Sequence, residues 1–160
     1  MTFEGRFSLL REAQCHKICL KFVQCTDLVR IEEYMFLLKS YRAILVLNVL
    51  IIFLQFVLAG QMIGGSDVAV NLHSATGLLL ILVGLVQMSL AIAMMRRGIG
   101  PGWLILANVG IVLAEAIEAV CGHFRLVSVH VPLALAIFGG VLRQLFWSVR
   151  EASADREQRA

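Results

Sequence analysis

The chain has 160 residues, 59% hydrophobic and 16% charged, with a formal net charge of +3 and a mean hydropathy of +0.85. A soluble domain runs about 45–50% apolar and about 25% charged. From Ala43 to Leu142 the only charged residues are Asp67, Arg96, Arg97, Glu115, Glu118 and Arg125. This pattern excludes an ordinary soluble globule, a disordered chain and a nucleic-acid-binding domain. It leaves a small multi-pass membrane protein with one transmembrane domain.

Residues 1–34 stand apart, with ten charged side chains and no apolar run of spanning length. They also hold Cys15, Cys19, Cys25 and His16. The Cys-x3-Cys-x5-Cys spacing matches neither a usual zinc site nor the CxxCH haem attachment motif. No cleavable secretory signal is present. The expectation is a short cytoplasmic segment, amphipathic and lying on the membrane. Met35, followed by Phe-Leu-Leu-Lys-Ser-Tyr-Arg and then the first span, reads as the natural start, with 1–34 an over-extended reading frame. On either reading these cysteines face a reducing compartment and stay free.

Residues 35–150 form the transmembrane domain. Its predicted spans are 43–62, 70–95, 101–121 and 129–149, and 151–160 form a cytoplasmic tail. At 1.5 Å per residue, each run crosses a hydrocarbon core of about 30 Å. Backbone groups in lipid must bond within their own segment, so these are helices. Gly64 and Gly65 mark the first loop, and Gly98, Gly100 and Gly102 the second. Pro101 and Pro132 suit the starts of the third and fourth helices. Short connections make neighbours antiparallel, and the fold class is an all-α, up-down four-helix bundle of the integral membrane type. Lys39, Arg42, Arg96, Arg97, Arg143, Arg150, Arg156 and Arg159 fall on one side and Arg125 alone on the other. This places both termini in the cytoplasm of a bacterial inner membrane.

The spans repeat. Asn48-Val-Leu-Ile-Ile-Phe-Leu-Gln55 aligns with Asn108-Val-Gly-Ile-Val-Leu-Ala-Glu115 at an offset of 60, and Leu72-His73 aligns with Val129-His130 at an offset of 57. The chain reads as two helix pairs of one design. His73 and His130 open the second and fourth helices, which are diagonal neighbours in an up-down bundle. Both lie at the outer level. Two imidazoles facing each other there can bind a haem iron from both sides. Gly77 and Ala134, four residues on, share their faces and are small enough to let a macrocycle lie against the backbone. A second reading makes these histidines interfacial and their small neighbours packing residues.

Glu115 and Glu118 lie roughly 21–25 Å beyond Pro101, in the outer third and on one face of the third helix. One reading has either carboxylate bonding a histidine N–H, with Arg125 pairing a haem propionate. The other has Glu118 snorkelling outward and Glu115 bonding Gln55, Gln61 or Asn71. A divalent-metal site of His73, Glu115, Glu118, His123 and His130 is a further alternative. Gln87 is expected to bond another helix. Met88, Met94 and Met95 read as filler, and Trp103 and Trp147 as interfacial belt residues. No catalytic motif is present.

The arrangement around Leu72-His73-Ser-Ala-Thr-Gly77 and Val129-His130-Val-Pro-Leu-Ala134 resembles membrane cytochromes of the b type. More narrowly, it is similar to one half of haem A synthase, over about residues 35–150. It also resembles small bacterial four-span proteins whose last helix opens with His-Val-Pro-Leu. Only one half is present, and the synthase's loop carboxylate and cysteine pair are missing. The resemblance therefore implies haem b and one-electron exchange with a quinone or a redox partner protein, rather than haem oxidation. A cofactor-free accessory or assembly subunit is the competing expectation.

Overall fold

A computed structural model of the chain describes the backbone of residues 3–158 and the side chains of residues 31–153. Among the described residues there are four helices: α1 (Phe3–Ile63), α2 (Asp67–Arg96), α3 (Trp103–His123) and α4 (Val127–Gln158). Residues Met1–Phe36 form one compact unit, which is helical from Phe3, and Leu37–Ala160 form the second unit, which holds the bundle. The side chains of Cys15, Cys19, Cys25 and His16 lie outside those described. All four helices are long and apolar enough to cross a membrane. The fold is thus an all-α four-helix bundle of membrane-spanning type.

Which face of each helix turns inward is not a question of hydrophobicity. Large apolar side chains cover the outside as well as the inside. Leu50, Phe53, Leu82, Leu106, Leu113 and Phe146 are exposed, while Leu38, Leu45, Ile52, Leu104 and Val141 are buried. In lipid the outward set costs nothing, because hydrocarbon tails are as apolar as leucine. Most of the buried positions instead follow alternating steps of three and four. On α1 they are Leu38, Tyr41, Leu45, Asn48, Ile52 and Gln55. On α2 they are Gly84, Gln87, Ala91 and Met94. On α3 they are Leu104, Asn108, Ile111 and Glu115. On α4 they are Ile137, Val141, Gln144 and Ser148. This is the seam of a left-handed bundle with knobs-into-holes packing. The buried polar side chains Asn48, Gln55, Gln87, Asn108, Glu115, Gln144 and Ser148 all sit on a seam, facing the other helices.

Three of the helix ends are built alike. Gly65 takes φ +85° and Gly98 φ +70°. Each donates its N–H three residues back, at 3.0 Å to Met62 and 3.0 Å to Met95, and the next residue donates five back, at 3.2 Å to Gln61 and 2.9 Å to Met94. This is the Schellman termination, whose left-handed residue is usually glycine. The end of α3 has the same bonds, Arg125 to Gly122 at 3.1 Å and Leu126 to Cys121 at 2.9 Å. There the left-handed residue is Arg125, at φ +56°. Ser66 caps α2, accepting the Ala69 N–H at 3.3 Å.

The helices start slightly off the expected positions. Pro101 precedes α3 by two residues and accepts the Leu104 N–H, whereas Pro132 lies inside α4. Gly100, at φ +84°, also lets Trp147 pass so closely that a Cβ there would meet the indole at 3.0 Å. Trp147 packs edge-on against Trp103, and the Arg143 guanidinium sits 4.8 Å from the Trp103 ring centre. We call this the tryptophan end of the bundle, and the opposite one the histidine end.

Candidate functional site

At the histidine end, α2 and α4 bring His73 and His130 together. Their ring centres are 6.1 Å apart and the rings are inclined at 61°. The anchoring of each is different. His73 rides on the second turn of α2, and Gln55 from α1 grips that turn. Gln55 Nε2 donates to the His73 carbonyl at 3.1 Å and to Thr76 Oγ1 at 2.9 Å. Thr76 in turn donates to the Leu72 carbonyl. His130 is held through its ring. Nδ1 lies 3.0 Å from Glu118 Oε1 and 3.2 Å from the Glu118 carbonyl oxygen. Both neighbours can accept a hydrogen from Nδ1, and in the neutral ring that tautomer leaves the lone pair on Nε2. His73 Nδ1 is buried without a hydrogen-bond partner.

The sequence left open which of two carboxylates would serve a histidine. Glu118 does, and it does not snorkel outward. Glu115 is 4% exposed and lies deeper in the bundle. Neither of its carboxyl oxygens has a partner, so the expected bonds to Gln55, Gln61 or Asn71 are not made. It lies against Gly84 of α2, where a Cβ would run into the carboxyl group. Asn48 of α1 lies alongside.

The remaining predicted residues separate into near and far. Gly77 and Ala134 are half-buried on the histidine faces, and the nearest atom to a Cβ at Gly77 is Gln55 Nε2 at 3.5 Å. Gly122, which sequence reasoning did not select, lies against His130. A Cβ there would meet ring atom Cε1 at 3.1 Å. His123 is exposed at the end of α3 and stacks edge-on against Phe124. Arg125 is exposed, and its backbone forms the turn described above. Among the described residues no three His, Cys, Asp or Glu side chains are grouped to hold a metal ion. The expected five-residue divalent site is therefore not assembled: His123 stays at the surface and Glu115 in the core.

Further toward the tryptophan end all four helices meet in one hydrogen-bonded layer. Asn48 Nδ2 donates to Gln87 Oε1 at 3.0 Å. Gln87 Nε2 donates to Asn108 Oδ1 at 2.8 Å and to Gln144 Oε1 at 3.1 Å. The Tyr41 hydroxyl donates to Gln144 Oε1 and accepts from Asn108 Nδ2. Asn48, Gln87 and Asn108 are each 0% exposed. One helix turn beyond Gln144, the Ser148 carbonyl accepts from the Arg42 guanidinium at 2.6 Å.

Sequence reasoning anticipated a partner for Gln87 but not this layer. The signal was present in the repeat. The offset of 60 relates Asn48 to Asn108, and the offset of 57 that relates His73 to His130 also carries Gln87 onto Gln144. The repeat of polar roles breaks at Glu115. It aligns with Gln55, yet the gripping role that Gln55 plays for His73 passes to Glu118 for His130.

Two imidazoles that bind one ion from opposite sides, at metal–nitrogen distances of about 2 Å, have ring centres about 6 Å apart. The observed pair matches that separation. An Nδ1–H on His130 leaves Nε2 free for a metal, and Gly122 keeps side-chain bulk away from the His130 ring. The separation of the rings is compatible with two imidazole donors to one ion. No known protein family, curated protein or solved structure matches the chain. Its fold and apolar exterior define a multi-pass membrane protein.

Proposed function

We propose that this is a b-type haem protein of the bacterial inner membrane, in which His73 and His130 would hold the haem iron. The observation that carries this reading is the meeting of the two imidazoles from diagonal helices, one of them oriented by a carboxylate. Haem, when bound, supplies a one-electron couple at its iron.

The chain's own residues do the rest. Glu118 holds the His130 ring by Nδ1, which raises the donor strength of Nε2. Gln55 fixes the backbone turn that carries His73. Phe56 and Phe138 meet edge-on with ring centres 5.7 Å apart and help fill the interior between α1 and α4. Arg125, in the exposed turn beside this end, is the cation available to a propionate. The excess of Lys and Arg at the tryptophan end orients both termini to the cytoplasm. The histidine pair then faces outward, where a quinone or a redox protein exchanges single electrons with it.

The test is a reduced-minus-oxidised visible spectrum of the chain purified in detergent after expression with a haem precursor. We expect a low-spin b-type spectrum that His73→Ala and His130→Ala each abolish and His123→Ala leaves intact. Glu118→Gln is expected to weaken haem retention about 10- to 100-fold, the usual effect of removing a ligand's hydrogen-bond partner. A well-folded but colourless chain refutes the proposal and favours an accessory subunit, in which the polar layer serves helix packing alone.

A further inference from the structure

We propose that Glu115 is a binding site for one small monovalent cation, a proton or Na⁺, taken into the middle of the bundle. Glu115 is 4% exposed, and both its oxygens lack a hydrogen-bond partner. A carboxylate left in that state is far costlier than a buried neutral group, and buried charges are paired or coordinate ions. From α2 it meets Gly84, the position whose missing side chain makes room for the carboxyl. From α1 it meets Asn48, 0% exposed, whose Nδ2 gives one of its two hydrogens to Gln87 and whose Oδ1 is itself without a partner. The ionisable groups turned inward on the packed helices are Tyr41, Arg42, His73, Cys121 and His130, with Glu118 one turn along α3 and Arg42 bonded to the Ser148 carbonyl. Tyr41 is engaged with Gln144 and Asn108, and His130 with Glu118. No Lys or Arg lies within the membrane-spanning part of α2 or α3 near this level.

The unpartnered atoms here are all oxygens: two of the carboxyl and one of the neighbouring amide. Oxygen-only donors with a single formal charge suit a hard monovalent cation. They do not suit a transition metal, which takes nitrogen or sulfur ligands more readily. A proton meets the same need by converting one acceptor into a donor. Neither source involves the histidine pair, so the site stands whether or not haem is bound there.

The experiment measures unfolding of the detergent-purified full chain, wild type against Glu115→Gln and Glu118→Gln. Sodium chloride is titrated against choline chloride at constant ionic strength, and pH is varied separately. A ligand held only by the folded state raises the folding constant by one plus the ratio of its concentration to Kd, about a hundredfold at 100 Kd. If Na⁺ is the occupant, wild type and Glu118→Gln show this rise and Glu115→Gln does not. If a proton is the occupant, sodium has no effect. The folding constant of wild type relative to Glu115→Gln then falls about tenfold per unit of rising pH, wherever the folded chain retains a proton that the unfolded chain has released. Should Glu115→Gln not fold, Glu115→Asp is expected to keep the response at reduced strength. The proposal is overturned if Glu115→Gln tracks wild type against both sodium and pH, or if Glu118→Gln loses the response and Glu115→Gln keeps it.

Discussion

Replacing Gln87 by leucine tests whether the polar layer determines the packing of the four helices. The substitution removes three hydrogen bonds, with Asn48 at 3.0 Å, Asn108 at 2.8 Å and Gln144 at 3.1 Å. An interhelical hydrogen bond in a membrane averages about 0.6 kcal/mol, so the direct loss is about 2 kcal/mol. Leucine is close to glutamine in size, so no large cavity opens. Asn48 Nδ2 loses its partner, however, and Asn108 Oδ1 loses its donor, and a stranded buried polar group costs about 1–3 kcal/mol. Gln144 Oε1 keeps the Tyr41 hydroxyl. The expected destabilisation is about 2–4 kcal/mol, allowing for partial relaxation of the stranded amides. The assay is reversible unfolding in mixed micelles, followed by the fluorescence of Trp103 and Trp147. Asn108→Leu in the same background completes a double-mutant cycle, with an expected coupling of about 0.6–1.7 kcal/mol. A Gln87→Leu chain within about 0.5 kcal/mol of wild type, or strict additivity in the cycle, refutes the reasoning, because either result means that the layer contributes nothing as a unit.

Two further substitutions probe backbone and packing. Arg125→Gly removes a side chain from a left-handed position that disfavours any Cβ, so the same unfolding assay is expected to show stabilisation of about 0.5–1 kcal/mol; a loss of stability means that the arginine side chain holds the turn. Gly84→Ala drives a methyl group into the Glu115 carboxyl and is expected to cost about 1–2 kcal/mol after the gain in helix propensity. In a Glu115→Ala background the clash is gone and the same change is expected to become neutral or stabilising. An equal cost in both backgrounds locates the obstruction elsewhere.

The helices and their number were legible because their signal is local. A run of twenty apolar residues between glycine-marked breaks needs no knowledge of its neighbours to be a spanning helix. The turns were legible only in part. Gly65 and Gly98 end their helices as glycines should, but Arg125 occupies the same left-handed position at the end of α3. Composition offers no sign of that, since bonds to Cys121 and Gly122 impose it. The histidine pair could be selected from the repeat, since the offset of 57 brings one polar residue of α2 over its counterpart in α4. The same offset held the Gln87–Gln144 bond, which went unread because an amide in a span looks like an isolated packing group until its partners are known.

The choice between Glu115 and Glu118 shows where sequence stops. The two are three residues apart on one face of one helix, with the same chemistry and nearly the same depth, and by themselves they are equivalent candidates for a histidine. They become different only because α4 passes Glu118, bringing His130 Nδ1 to 3.0 Å, while α2 presents Gly84 to Glu115. The sequence by itself determined a four-span helical bundle, its repeat and the set of polar residues that must lie inside it. These follow from desolvation, which acts on each segment alone. Which of those residues touch was decided only by tertiary packing. Lipid tolerates an apolar face on either side of a helix, and partnerships among buried polar groups depend on the rotation and depth of four helices at once.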